Sequence, residues 1–149
     1  MRMLQAAALL IALQFEFVVA GTGVTPPSKL LADIVGQPKA SVEHALGKSD
    51  YCEQGKYGER YSFHNGAIEV IFFDSKANMI MYNKGDLPYQ PKTLELIGFK
   101  ATKPSHEDKF VTEWNTVDGV KSVKMFAGEN GKIEYISIIT NVTNQADLQ

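Results

Sequence analysis

The chain has 149 residues, with 15 Lys and Arg against 17 Asp and Glu and a formal charge of −2. That length suits one domain, and the slight acidity offers no electrostatic footprint for nucleic acid. A charged share of 21% with 10% aromatics excludes a wholly disordered chain, and a single Cys closes no intrachain disulfide.

The first twenty residues, MRMLQAAALLIALQFEFVVA, differ from the rest. Arg2 precedes an apolar run from Leu4 to Leu13, and Val18-Val19-Ala20 place small or moderate residues where a signal peptidase cuts. Gln5, Gln14 and Glu16 leave the run short of the ~20 apolar residues of a membrane span. The segment therefore reads as a signal peptide, residues 1–20, cleaved after Ala20. The product is expected to be periplasmic or extracellular, meeting the membrane only during export. No Cys follows the run to carry a lipid anchor. Without the leader the apolar share falls from 44% to about 39%, ordinary for a soluble domain. Cys52 is expected to be a semi-buried bystander thiol.

Residues 21–27 (GTGVTPP) read as a flexible leader. Ser28 can cap a short helix over Lys29–Val35 that stops at Gly36, and a second helix runs from Pro38 to Gly47 with Val42, Ala45 and Leu46 on one face. Glu59–His64 and Ala67–Phe73 read as strands joined by Asn65-Gly66, the preferred pair of a type I′ turn. Asp74-Ser75-Lys76 turns the chain into a third strand near Met79–Asn83. After the junction Lys84–Tyr89, TLELIG (Thr93–Gly98) predicts a helix, and Phe110–Asn115, Val120–Ala127 and Lys132–Thr140 predict strands.

The two halves share a registration. Pro38 and Pro91, Tyr61 and Trp114, Gly66 and Gly119, Val70 and Val123, and Phe73 and Phe126 are each 53 positions apart, and Ile80 and Ile136 are 56 apart. The expected fold is α+β: two tandem α-β-β-β units, residues 28–84 and 85–149, in one globular domain. Their antiparallel sheet would carry short helices on one face. Residues apolar in both copies, Tyr61/Trp114, Val70/Val123, Phe72/Met125 and Ile80/Ile136, should face those helices.

The other face should then show Glu69, Ile71, Phe73, Met79 and Met81 from one half, with Ser122, Lys124, Phe126, Tyr135 and Ser137 from the other, unless a bulge flips the register. Aromatics and adaptable Met among a few charges suit protein binding. The candidate binding residues are Ile71, Phe73, Met79, Met81, Lys124, Phe126 and Tyr135. Cover by a homodimer contact, cover by the leader, and scattered surface apolars are the alternatives.

A helix ending in His44-Ala45-Leu46-Gly47, a Tyr-rich strand, a Gly turn and Ile-x-Val-x-Phe at Ile68, Val70 and Phe72 together carry a resemblance. The chain resembles the superfamily of the β-lactamase inhibitory protein and the small outer-membrane lipoproteins of the β-barrel assembly machinery. That resemblance implies non-enzymatic work, with the open sheet face or its loops gripping another protein.

Signals for catalysis are sparse. His44, His64 and His106 fall on a helix, a strand end and a loop, with neither H-x-x-x-H nor H-E-x-x-H spacing, and no G-x-S-x-G elbow occurs. Gly55-Lys56-Tyr57-Gly58 lacks the length of a phosphate-binding loop. Asn141-Val142-Thr143 matches a glycosylation sequon. No cofactor, metal site or catalytic residue is assigned. The expected function is an exported, non-enzymatic protein-binding or inhibitory module whose partner is another protein. The alternatives are a soluble envelope assembly factor, or a small enzyme built from His64, Glu69 and neighbours across the sheet.

Overall fold

The computed structural model describes residues 27–140. The signal-peptide reading, the leader up to Pro26 and the Asn141 sequon lie outside the described residues.

A single-turn 3-10 segment, Pro27–Leu30, runs into α1 (Leu31–Ile34), followed by α2 (Lys39–Leu46). Four strands come next: β1 (Tyr51–Gly55), β2 (Gly58–Phe63), β3 (Ile68–Phe73) and β4 (Lys76–Tyr82). After the short α3 (Thr93–Leu96) come β5 (His106–Glu107), β6 (Val111–Val117), β7 (Val120–Ala127) and β8 (Ile133–Thr140). All eight strands join one antiparallel sheet in the order β1-β2-β3-β4-β8-β7-β6-β5.

This corrects the expected fold. In place of two α-β-β-β units, the described residues form one continuous eight-stranded sheet with few, short helices; the longest among them, α2, has eight residues. The 53-residue registration therefore records alternation and turn chemistry repeated along a sheet. The two strands missing from the sequence reading are the edges. The β1 sequence YCEQG has no apolar alternation because it is exposed along most of its length, and β5 has only two residues.

The turns follow from residue chemistry. Tight reversals need positive φ at two central residues, which Asn, Asp and Gly tolerate best. Asn65 and Gly66 have φ of 56° and 84°, and Asp118 and Gly119 have 45° and 84°. Asn130 and Gly131 adopt the same conformation, with the Lys132 amide donating to the Glu129 carbonyl at 3.0 Å.

One face of the sheet holds the core. Tyr61, Val70, Phe72, Ile80, Trp114, Val123, Met125 and Ile136 are buried there. Leu31 and Ile34 of α1, Val42 and Leu46 of α2, and Leu94, Ile97 and Phe99 from the α3 region close over them. A register shift between Ile71 and Phe72 leaves Asn78 as an extra residue in β4. The bulge lets Ala77 and Ile80, three apart, both face the core. Register is kept on both sides of it, so Met79 and Met81 stay on the opposite face.

Candidate functional site: the open sheet face

The sheet's second face carries no helix among the described residues. Its side chains follow from the register. One cross-strand row runs Arg60, Ile71, Met79, Ile139, Ser122, Asn115 from β2 to β6. The row beside it runs Ser62, Glu69, Met81, Ser137, Lys124, Glu113. Side chains in such rows stand together on one surface.

The middle of this surface is apolar, made by Ile71, Met79, Met81 and Ile139, all half-buried. Two residues further along β7 and β8, Phe126 stacks on Tyr135 with ring centroids 4.3 Å apart and planes 19° from parallel. Ion pairs flank the strip. On the β2 side, Arg60 donates to Glu69 at 2.6 Å and to Glu53 at 3.2 Å. On the β7 side, the Lys124 ammonium lies 3.2 Å from Glu113. The Glu69 bond and charge, then Glu53, hold the Arg60 proton more firmly than usual, outweighing partial desolvation.

Of the residues singled out from sequence, the structure brings Ile71, Met79, Met81 and Lys124 into two adjacent rows, with Phe126 and Tyr135 stacked beside them. Phe73 lies two residues past Ile71, at the end of β3 opposite Lys76, where it lines a shallow groove of about 360 Å³ with Gln54, Gly58 and Asp74. Sequence reasoning missed Ile139, though it continues the period-two series Tyr135, Ser137. It also missed the charged flanks Arg60, Glu53 and Glu113, which become visible only through strand pairing.

Elsewhere the polar groups serve structure. Asp108 accepts from the Phe110 and Val111 amides at 2.7 and 2.8 Å, closing the β5–β6 turn. Those two amides, then His106, hold the Asp108 carboxyl below its ordinary pKa. The buried Tyr82 hydroxyl donates to Asp86 at 2.6 Å, and burial first, then Asp86, pushes the phenol well above its ordinary pKa. Cys52 is exposed on β1, the edge strand of the sheet among the described residues, and not semi-buried as expected.

His64 and Glu69 have different surroundings. His64 lines a cavity of about 480 Å³ with Pro27, Asn65, Ala67, Tyr82, Asn83 and Lys84. The Glu69 carboxylate is bound by Arg60 on the open face. No three His, Cys, Asp or Glu side chains gather into a possible metal site among the described residues. No helix among them is long and apolar enough to cross a membrane.

No family model matches the sequence, and no curated protein matches it. Among solved structures, the fold is similar to that of an extracellular protein containing an SCP domain from Bacillus anthracis str. Ames. That superposition has a TM-score of 0.51 at 6% identity, over 74% of this chain and 45% of the other. A cysteine-rich secretory protein from Staphylococcus aureus subsp. aureus Mu50 superposes with a TM-score of 0.45 at 11% identity, over 74% of this chain and 46% of that one. The chain thus spans less than half the length of either. At such identities the likeness concerns the fold alone.

The single eight-stranded sheet and its likeness to the Bacillus anthracis fold overturn the resemblance to the β-lactamase inhibitory protein and the assembly lipoproteins. The signals behind it were a helix stopped by Leu-Gly, a Gly turn and an Ile-x-Val-x-Phe strand. A helix followed by a half-buried antiparallel hairpin produces all three in any fold. The structural likeness of this chain is to part of an extracellular, SCP-domain-containing protein.

Proposed function

We propose that the chain is an exported, non-enzymatic binding module that grips another protein with the open sheet face. The observation that carries this reading is the asymmetry of the sheet. Among the described residues, helices pack on one face, while no helix lies over the half-buried Ile71, Met79, Met81, Ile139 and Phe126–Tyr135 stack of the other, which stand between two sets of ion pairs. A contiguous apolar strip rimmed by charge is the composition of a protein-contacting surface. Export rests on the Arg2, Leu4–Leu13, Val18-Val19-Ala20 order of the leader, and the Bacillus anthracis protein of similar fold is itself extracellular.

The test separates surface from core. Phe126→Ser removes a half-buried ring and is expected to cost about 1–2 kcal/mol in urea unfolding, while abolishing retention of the partner by the immobilised protein. Phe73→Ser, at the end of β3 where the strip meets the edge of the sheet, is expected to weaken retention less. Retention unchanged in Phe126→Ser, with the fold intact, contradicts the reading.

A further inference from the structure

We infer that the occupant of the open face is a second copy of this chain, packed face to face about a twofold axis parallel to the strands between β4 and β8. The inference rests on the reading of that face as a binding surface. It follows from the two cross-strand rows, because such an axis sets each residue of β2, β3 and β4 over one of β6, β7 and β8 in the second copy.

The register fixes which residues meet. Glu69 and Lys124 lie in the same row, each one strand outward from the β4–β8 pair. The axis therefore places Glu69 over Lys124 of the second copy, and Lys124 over its Glu69. Ile71 comes over Ser122, Met81 over Ser137, and Met79 over Ile139. Ser122 and Ser137 are 6% and 8% exposed, so they form the floor of hollows where Ile71 and Met81 stand as knobs on the other half of the sheet. At the flank, Arg60 comes over Asn115 and Ser62 over Glu113. Each contact is thus opposite in charge, large on small, apolar on apolar, or donor on acceptor. The face complements itself under this one operation, as an isologous interface requires.

The rows are regular where it matters. The register shifts fall between Ile71 and Phe72, between Val120 and Ser122, and between Phe126 and Ala127, outside the paired positions 69–71, 79–81, 122–124 and 137–139. The size also fits. Eight strands about 4.8 Å apart, with central strands roughly 20–25 Å long, present about 700–800 Å². A standard interface takes about 800 Å² from each partner, and two sheets pack aligned with about 10 Å between them.

Sedimentation equilibrium of the protein recovered after export, with its charge variants, tests the pairing. The wild type is expected to be a dimer. Glu69→Lys and Lys124→Glu alone each set like charges against one another twice, and dissociation is expected to rise at least about tenfold. Mixing the two variants in equal amounts is expected to restore a dimer, because Lys at position 69 of one copy meets Glu at position 124 of the other while the second contact stays native. Restoration cannot come from within a chain, since each variant keeps its own broken pair with Arg60 or Glu113. Circular dichroism of each variant, expected to match the wild type, checks that it folds. A monomeric wild type at all concentrations, or a mixture that stays monomeric, overturns the inference. If the wild type is monomeric while Phe126→Ser still abolishes retention of a different protein, the second copy is excluded and the binding face stands.

Discussion

Replacing Trp114 with alanine is expected to lower unfolding stability by about 3–5 kcal/mol, measured by urea denaturation with an unchanged slope. Trp114 is the largest fully buried side chain, 1% exposed, at the centre of β6 opposite Val123. Its removal loses transfer free energy and leaves a cavity in a sheet that cannot collapse without breaking pairing. A second contribution is local. The indole Nε1 donates to the Thr102 carbonyl at 3.0 Å, and so ties the segment between α3 and β5 to the sheet. A single domain has a net stability of about 5–15 kcal/mol, so a large share of the total is at stake. Phe110 provides the control. It is 65% exposed at the β5–β6 turn, and Phe110→Ala is expected to change stability by less than about 0.5 kcal/mol.

Gly58→Ala is expected to cost about 3 kcal/mol or more and to release β1 selectively. Gly58 opens β2 with φ of +124°, a conformation that L residues rarely adopt. A Cβ there would lie 2.1 Å from the Phe72 carbonyl oxygen and 3.1 Å from its carbon, and both are backbone atoms of the neighbouring strand. Relief requires β2 and β3 to separate at this end, which disturbs the Gly55–Gly58 closure of the β1–β2 hairpin. Hydrogen exchange should therefore accelerate in β1 well before β7 and β8. Gly131→Ala sets the scale for backbone strain alone, because its Cβ meets nothing within 4 Å at a φ of +69°. It is expected to cost about 1 kcal/mol.

The buried side of the strands was legible in the sequence because a half-buried strand must alternate, and Tyr61, Val70, Phe72, Trp114, Val123 and Met125 do so. The Asn65-Gly66, Asp118-Gly119 and Asn130-Gly131 turns were legible because few other residue pairs tolerate their dihedrals. The edges were not. β1 buries little, so hydrophobic pattern does not constrain its sequence, and it is held instead by hairpin pairing to β2 and by Asp50 accepting from the Asn65 amide at 2.7 Å. The continuity of the sheet was hidden as well, since it depends on β4 pairing β8 from Met79–Ile139 to Tyr82–Ile136, more than fifty residues apart in sequence.

For the open face, alternation alone placed Ile71, Met79, Met81, Lys124, Phe126 and Tyr135 on one side. Their arrangement into two rows needed the strand order. So did the flanking pairs Arg60–Glu69 and Lys124–Glu113, whose members are 9 and 11 positions apart in sequence and adjacent only across a hairpin. The sequence carried the composition of the face, and the pairing carried its pattern.

Site-specific photo-cross-linking in the native compartment tests most directly whether the open face is the contact surface. A photoreactive residue at Met81, at the centre of the strip, is expected to form cross-links to protein in high yield. The same residue at Lys48, exposed just beyond α2 on the helix-covered side, is expected to form none. Equal yields from both positions, or cross-linking from Lys48 alone, would contradict the assignment of the open face as the surface through which this protein acts.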